Sequence, residues 1–336
     1  MRATGLSFGR IAGLAVDNVG KVYVADAADH RVVVLSIDGS LAAVIGRSGS
    51  GPGEFNRVGT IAIQGNTLLV RDEGNARMQQ FQVGGKTSFM RTAPLLQFHS
   101  GISIPIFPFP DGSWYDEARA VNKSDGAIRP TRVLRSANGM ILRVDTLAVP
   151  AGADEGQTRI RTEQKAADGR VLGVSERTVQ QPFGSRWLRA YGPDGLRADV
   201  VSGRFEVRIY DRSEQLLATI RKETGPVAVT AREIDSTRRE LTRLGVTMGV
   251  TFPKAKAPIA AVAWSRDGQL WVERAVASGK LREAELYDRT GKMVGRAVWP
   301  AEIDLLNGLP WIEGRSAWAV ARDADDVERV VRLQFK

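Results

Sequence analysis

Four basic side chains recur where the repeating units of this sequence begin: Arg10, Arg57, His99 and Arg186. Three tryptophans, Trp187, Trp264 and Trp311, stand in or beside the equivalent segments. A guanidinium is a planar fork of donors that suits carboxylates and other oxyanions, and an aromatic face beside it supplies a flat apolar wall. If these side chains meet, their chemistry is that of holding an anionic or carbohydrate-like ligand. The competing reading is that the arginines bond carbonyls and acids where units join.

Chemistry that breaks bonds is harder to find. The chain has no cysteine and only two histidines, His30 and His99. That excludes a thiolate nucleophile, a disulfide framework and a zinc held by several imidazoles. There is no Gly-x-Ser-x-Gly elbow. The run Gly49-Ser50-Gly51-Pro52-Gly53 lacks the Lys-Ser/Thr ending that a phosphate loop needs, and reads as a linker. Calcium takes about six to eight oxygens. Glu302, Asp304 and Asn307 crowd together in sequence, but a solvated turn accounts for them equally well. No cofactor is therefore expected, calcium remaining open without a motif. No catalytic residue is assigned, and the question of an enzyme leans towards no.

The net charge is +9, with 37 Arg and 10 Lys. The excess is spread along the chain without a basic run, which argues for a solvated basic surface and against nucleic acid. No apolar run approaches the roughly 18–20 residues of a membrane span. Met1 to Arg10 contains no apolar stretch fit for a secretory signal. A periplasmic or extracellular location is expected if a signal lies upstream of this chain, and a cytoplasmic one otherwise.

The elements that position these residues repeat. Phe8 to Val16 aligns with Phe55 to Ile63, Val22-Tyr23-Val24-Ala25-Asp26 with Leu68-Leu69-Val70-Arg71-Asp72, and Arg31 with Arg77, at a period of 46 to 47 residues. Each unit reads as four short strands separated by Asp-, Asn- and Gly-bearing turns. Between the first two strands a turn glycine recurs at Gly20, Gly65, Gly112, Gly195, Gly268 and Gly314. The intervals of 45, 47, 83, 73 and 46 mark two insertions, 150–182 and 225–258. The fold class expected is all-β: a six-bladed β-propeller of four-stranded antiparallel blades, one domain over 1–336. The blades fall at about 11–46, 57–92, 98–149, 183–222, 259–298 and 305–336. The first insertion offers only two strands, too few for a seventh blade. The second carries a capping box, Thr230-Ala231-Arg232-Glu233, with Ile234, Leu241 and Leu244 at helical spacing, which predicts a helix over 231–244. It is expected on the face of the blade-to-blade connections, as a partial lid.

The first 90 residues resemble NHL repeats. The resemblance rests on Gly13-Leu14-Ala15-Val16-Asp17, Gly20 to Asp26, Asp29-His30-Arg31-Val32 and the linker Gly46 to Phe55. The second blade departs, with Asn75-Ala76-Arg77 and Gln64 in place of the usual residues, and later blades match in outline. The whole is similar to bacterial six-bladed propellers with NHL-type first blades, many of them exported or lipid-anchored. The resemblance implies that Asp26 with Arg31, and Asp72 with Arg77, tie neighbouring strands, and that His30 is structural. Its wider relatives include calcium lactonases and zinc lyases. The reading is a non-catalytic ligand- or protein-binding propeller, a scaffold of the bacterial envelope. The alternatives are a metal-dependent hydrolase or lactonase and an RNA-binding propeller.

Ring closure is the remaining expectation. Blade six shows three strands, about Asn307–Ile312, Ser316–Arg322 and Val327–Phe335. Either residues 2–8 pair with the last of these, or that strand is a bare edge and the native chain begins further upstream. The short segment, with Gly5 inside it, leans the expectation towards the bare edge.

Overall fold

The computed structural model describes residues 2–3, 6–96, 106–121, 128–152, 155–165, 170–243, 250–279, 281–306, 311–323 and 327–335. His99 and Leu244 lie outside the described residues. Six antiparallel sheets form the blades of a propeller. Blade one runs Ile11–Val16, Val22–Asp26, Arg31–Leu35 and Leu41–Ile45, and blade two Val58–Gln64, Thr67–Asp72, Arg77–Gln82 and Ser88–Pro94. Blade three runs Ile106–Pro108, Trp114–Val121, Ile128–Arg135 and Ile141–Thr146, and blade four Trp187–Tyr191, Arg197–Val201, Glu206–Tyr210 and Leu216–Arg221. Blade five is Ile259–Trp264, Leu270–Arg274, Leu281–Tyr287 and Met293–Pro300.

The strand patterns follow from position in the disc. The second strand of a blade is covered on both faces by its neighbours, so Val22–Asp26 is buried throughout and reads as a near-continuous apolar run. The outermost strand meets solvent, and Leu41–Ile45 is exposed over its first four residues. All six turn glycines adopt positive φ, from +54° at Gly314 to +85° at Gly268. Only glycine enters that region without a Cβ clash, which is why it marks the first hairpin of every blade.

Apolar clusters weld most junctions. Ala15, Val34 and Ile45 pack with Ile61, Val70 and Phe81 between blades one and two. Similar clusters join blades two and three, four and five, five and six, and six and one. Between blades three and four the contact is different. Arg189 donates from Nε and Nη2 to the Glu117 carboxylate at 2.9 and 2.6 Å, and the Tyr191 hydroxyl donates to the same group at 2.7 Å. Arg132 reaches Glu214 at 2.5 Å and Asp145 at 3.0 Å, and Arg197 bonds Glu214 at 2.6 Å and also Asp199. Phe107 lies on Tyr191 with ring centroids 4.3 Å apart. Burial pushes the Glu117 carboxyl up, but the Arg189 guanidinium and the Tyr191 hydroxyl outweigh it and hold it below the usual carboxylate range.

The local pairs in blades one and two are present. Arg31 Nε donates to Asp26 at 3.1 Å and Arg77 Nε to Asp72 at 2.9 Å, each between directly paired residues of adjoining strands. His30 and Ala76 sit at the matching turn position with φ of +54° and +49°.

The two insertions behave differently. In the first, Gln157–Lys165 pairs with Val171–Gln180 as a separate two-stranded sheet. In the second, the helix Ala231–Arg243 begins at the capping box: Glu233 N donates to Thr230 Oγ1 at 3.3 Å and Thr230 N to the Glu233 carboxylate at 3.0 Å. The legs of this insertion bond each other through Val229 N to Lys254 O at 3.0 Å and Lys256 N to Val227 O at 2.8 Å.

Blade six differs from expectation in two ways. Its innermost strand is split, Ile303–Asp304 and Trp311–Glu313 both pairing with Ser316–Arg322, which in turn pairs with Glu328–Gln334. Its outer edge is also occupied rather than bare. Arg2 pairs with Arg332 and Ala3 with Val331, while Phe8 and Glu328 exchange backbone bonds of 2.9 and 3.1 Å. Two paired residues suffice because buried Phe8 anchors the segment among Leu14, Val33 and Val330.

Candidate functional site

The largest recess that includes a predicted arginine lies between blades four and five, on the face of the blade-to-blade connections. Its volume is about 410 Å³. The linker into blade four supplies Gln181 and Arg186, the insertion supplies Glu233 and Lys256, and blade five supplies Glu273 and Arg282. Each is held by local structure. Arg186 N donates to Ser202 Oγ at 2.7 Å, fixing the first residue ahead of the innermost strand. Lys256 Nζ bridges Glu233 Oε1 at 2.6 Å and the Val276 carbonyl at 2.9 Å, so the helix N-terminus is pinned to the loop that follows Leu270–Arg274. The helix N-terminus therefore stands at the rim of this cleft.

One group facing it has spare bonding capacity, and a second is buried in its wall. The Arg186 guanidinium donates to the Ala260 carbonyl at 2.7 Å and makes no ion pair among the described residues. Burial lowers its pKa, an effect opposed by the nearby charges of Glu273 and Asp304. Glu273 is 4 % exposed, and its Oε2 has no hydrogen-bond partner. Arg282 Nη1 approaches Oε1 at 3.3 Å and Asp304 at 3.3 Å. Burial pushes the Glu273 carboxyl up to about 7, against the pull of Arg282 and with help from the Asp304 charge. Near neutral pH the cleft thus presents a cation without an ion-pair partner among the described residues, beside a buried carboxyl that exists in both forms. Such a pair can bind a carboxylate and exchange a proton or hydrogen bond with a hydroxyl.

The other predicted residues are distributed elsewhere. Arg57 Nη2 pairs with Glu73 at 3.2 Å, and the exposed Arg10 acts on the same carboxylate electrostatically. Trp187 lies under the Arg189 guanidinium at 4.3 Å, beside the junction of blades three and four. Trp264 and Trp311 line a separate cavity of about 170 Å³ nearer the turn ends of the innermost strands. Glu273, Lys256 and Arg282 were not singled out in the sequence. A signal existed for Glu273, since a lone acid interrupts the buried run Leu270-Trp271-Val272, whereas Lys256 is recognisable only through its spatial partner. Among the described residues no three His, Asp or Glu side chains gather as a metal cage, and no helix is long and apolar enough to cross a membrane.

Comparison with known proteins agrees with this architecture. Residues 6–125 match the model of a family described as a 6-bladed beta-propeller. No curated protein matches the chain. Among solved structures, the PQQ-bound aldose sugar dehydrogenase of Streptomyces coelicolor is 12% identical, with 99% of this chain and 96% of that one covered and a TM-score of 0.50. A candidate exported protein of Bacteroides fragilis is 13% identical over 100% of this chain and 95% of that one, with a TM-score of 0.49. Virginiamycin B lyase of Staphylococcus aureus is 12% identical over 100% and 89%, with a TM-score of 0.42. At 12% identity the likeness to the dehydrogenase is one of fold alone. The blades themselves show what the chain is: a six-bladed β-propeller.

Proposed function

We propose that this propeller is a binding protein whose cleft between blades four and five takes a small anionic, hydroxyl-bearing ligand of the sugar-acid class. The observation that carries the reading is Arg186: a guanidinium set in a recess of about 410 Å³ with one carbonyl bond and no carboxylate partner among the described residues. A ligand carboxylate completes that fork, and the Glu273 carboxyl beside it accepts or donates to a neighbouring hydroxyl. The Asp26–Arg31 and Asp72–Arg77 pairs support an NHL-type origin for the first two blades. An envelope location goes with that resemblance. Calorimetric titration with glucuronate and with glucose tests the ligand class. Glucuronate is expected to bind, more weakly as salt rises, and glucose is not. Arg186→Met is expected to weaken glucuronate by about tenfold to a hundredfold, the worth of a charge-assisted bond. Equal binding of the two sugars, or an unaffected Arg186→Met protein, overturns the reading.

A further inference from the structure

The smaller cavity has a chemistry of its own. All six blades contribute to it, among them Ile63 of blade two, Phe107 of blade three and Leu306 of blade six. It occupies the end of the central channel where the first hairpins turn, away from the cleft holding Arg186. Two of its polar groups lack partners. The Trp264 ring is 7 % exposed, yet its Nε1–H has no acceptor. A buried indole N–H normally finds one, and leaving it empty has a cost. At the rim, the Arg266 guanidinium lies 4.5 Å from the Trp311 ring centroid and makes no ion pair within bonding distance among the described residues, the Glu313 charge acting on it only from further away. Its backbone is fixed by a 2.7 Å bond from Arg266 N to the Ile312 carbonyl, so the side chain leaves from a defined point. The other lining arginine, Arg189, is already committed to Glu117 through two bonds.

The backbone is shaped to this wall. A Cβ at Gly192 would lie 2.6 Å from the Trp264 ring, so the chain of blade four presses flat against the indole and no side chain intervenes. The result is an apolar, aromatic-walled chamber of about 170 Å³ with one stacked cation at its rim, the indole Nε1–H being closed off inside the wall.

We infer that this end of the channel is a second ligand site, for a small aromatic carboxylate. Its ring fills the chamber between Phe107 and Trp264, and its two carboxylate oxygens take two N–H donors of Arg266. The volume admits a single substituted ring and excludes a disaccharide. The pairing of a stacked guanidinium with a carboxylate is favoured because the aromatic face keeps the cation partly dehydrated without neutralising it.

Titration of the full chain with phenylacetate, followed by tryptophan fluorescence and by ligand-observed NMR, tests the assignment. Benzyl alcohol serves as the uncharged probe, and Arg289→Gln, an exposed charge elsewhere, as the charge control. Phenylacetate is expected to bind saturably in the millimolar range or tighter, as its small size allows. Benzyl alcohol is expected to bind at least several-fold more weakly. Arg266→Gln is expected to weaken phenylacetate about tenfold or more, Trp264→Phe several-fold, and Arg289→Gln not at all. Circular dichroism checks that each variant is folded, and the rim position of Arg266 keeps that variant informative if Trp264→Phe is not. Absence of saturable binding, or binding indifferent to both Arg266→Gln and Trp264→Phe, overturns the proposal.

Discussion

Blades one and two meet through an apolar layer, while blades three and four meet through charges. At the first junction Ile45, Phe55, Ile61 and Phe81 close the gap, and the ion pairs Asp26–Arg31 and Asp72–Arg77 stay within single blades. At the second, Arg189–Glu117 and Arg132–Glu214 bridge from blade to blade, and Arg197 shares Glu214 from within blade four. The two junctions hold the same geometry by different physics. Apolar packing tolerates exchange of one hydrophobe for another of similar volume. A buried charge network instead depends on every member, because removing one leaves its partner desolvated and alone. The charged junction is also the one interrupted by the first insertion, the hairpin Gln157–Lys165 and Val171–Gln180.

The largest expected effect tests that contrast directly. Arg189→Met leaves Glu117 and Tyr191 without their guanidinium and is expected to cost about 3–5 kcal/mol in denaturant unfolding. The double variant Glu117→Leu with Arg189→Met removes both charges and is expected to recover at least half of that loss. A single variant within about 1 kcal/mol of the parent would show that the charges decorate the junction rather than hold it.

A smaller effect concerns pH and sharpens the same contrast in blade five. Glu273 has its pKa raised from 4.5 to about 7 in the folded chain. Between those values the unfolded chain has released this proton and the folded chain retains it. Stability from this group is therefore full below pH 4.5 and is lost as pH rises through 7. The loss is on the order of 3 kcal/mol. Glu273→Gln, which cannot ionise, is expected to flatten the fall in Tm between pH 5 and 8; an unchanged slope would remove Glu273 as its source. The smallest expected effect is in blade one. Arg31 is 37% exposed beside Asp26, and Arg31→Ala is expected to cost about 1 kcal/mol or less by the same unfolding measurement. A cost equal to that of Arg189→Met would erase the difference between the two regions.

What could be read in the sequence was local. The six turn glycines are legible because positive φ is a demand each hairpin makes on one residue. The capping box at Thr230 and Glu233 is legible because both partners lie within one turn. The pairs Asp26–Arg31 and Asp72–Arg77 fall at a fixed offset and repeat. The charged junction leaves no such trace, since Glu117 and Arg189 are 72 residues apart and nothing periodic links them. The same holds for the cleft. Arg186 was visible as a member of a series, but its meeting with Glu273, Arg282 and Lys256 depends on an insertion and a loop that share no repeat. Blade six was legible as strands but not as a closed sheet, because the strand that completes it is only Arg2–Ala3.

That closure also orders events in time. Glu328 bonds the Phe8 backbone in both directions, and its carboxylate takes the Ile11 N–H and the Arg322 guanidinium. The partners Ile11 and Glu328 are 317 positions apart. In a disordered chain, bringing them together costs about 5 kcal/mol of loop entropy before any bond repays it. Hairpins within a blade close loops of a few residues and need no such prepayment. Blade-by-blade ordering shortens the distance left to search, so the latch at Glu328 belongs to the end of the folding route, and its rupture to the beginning of unfolding.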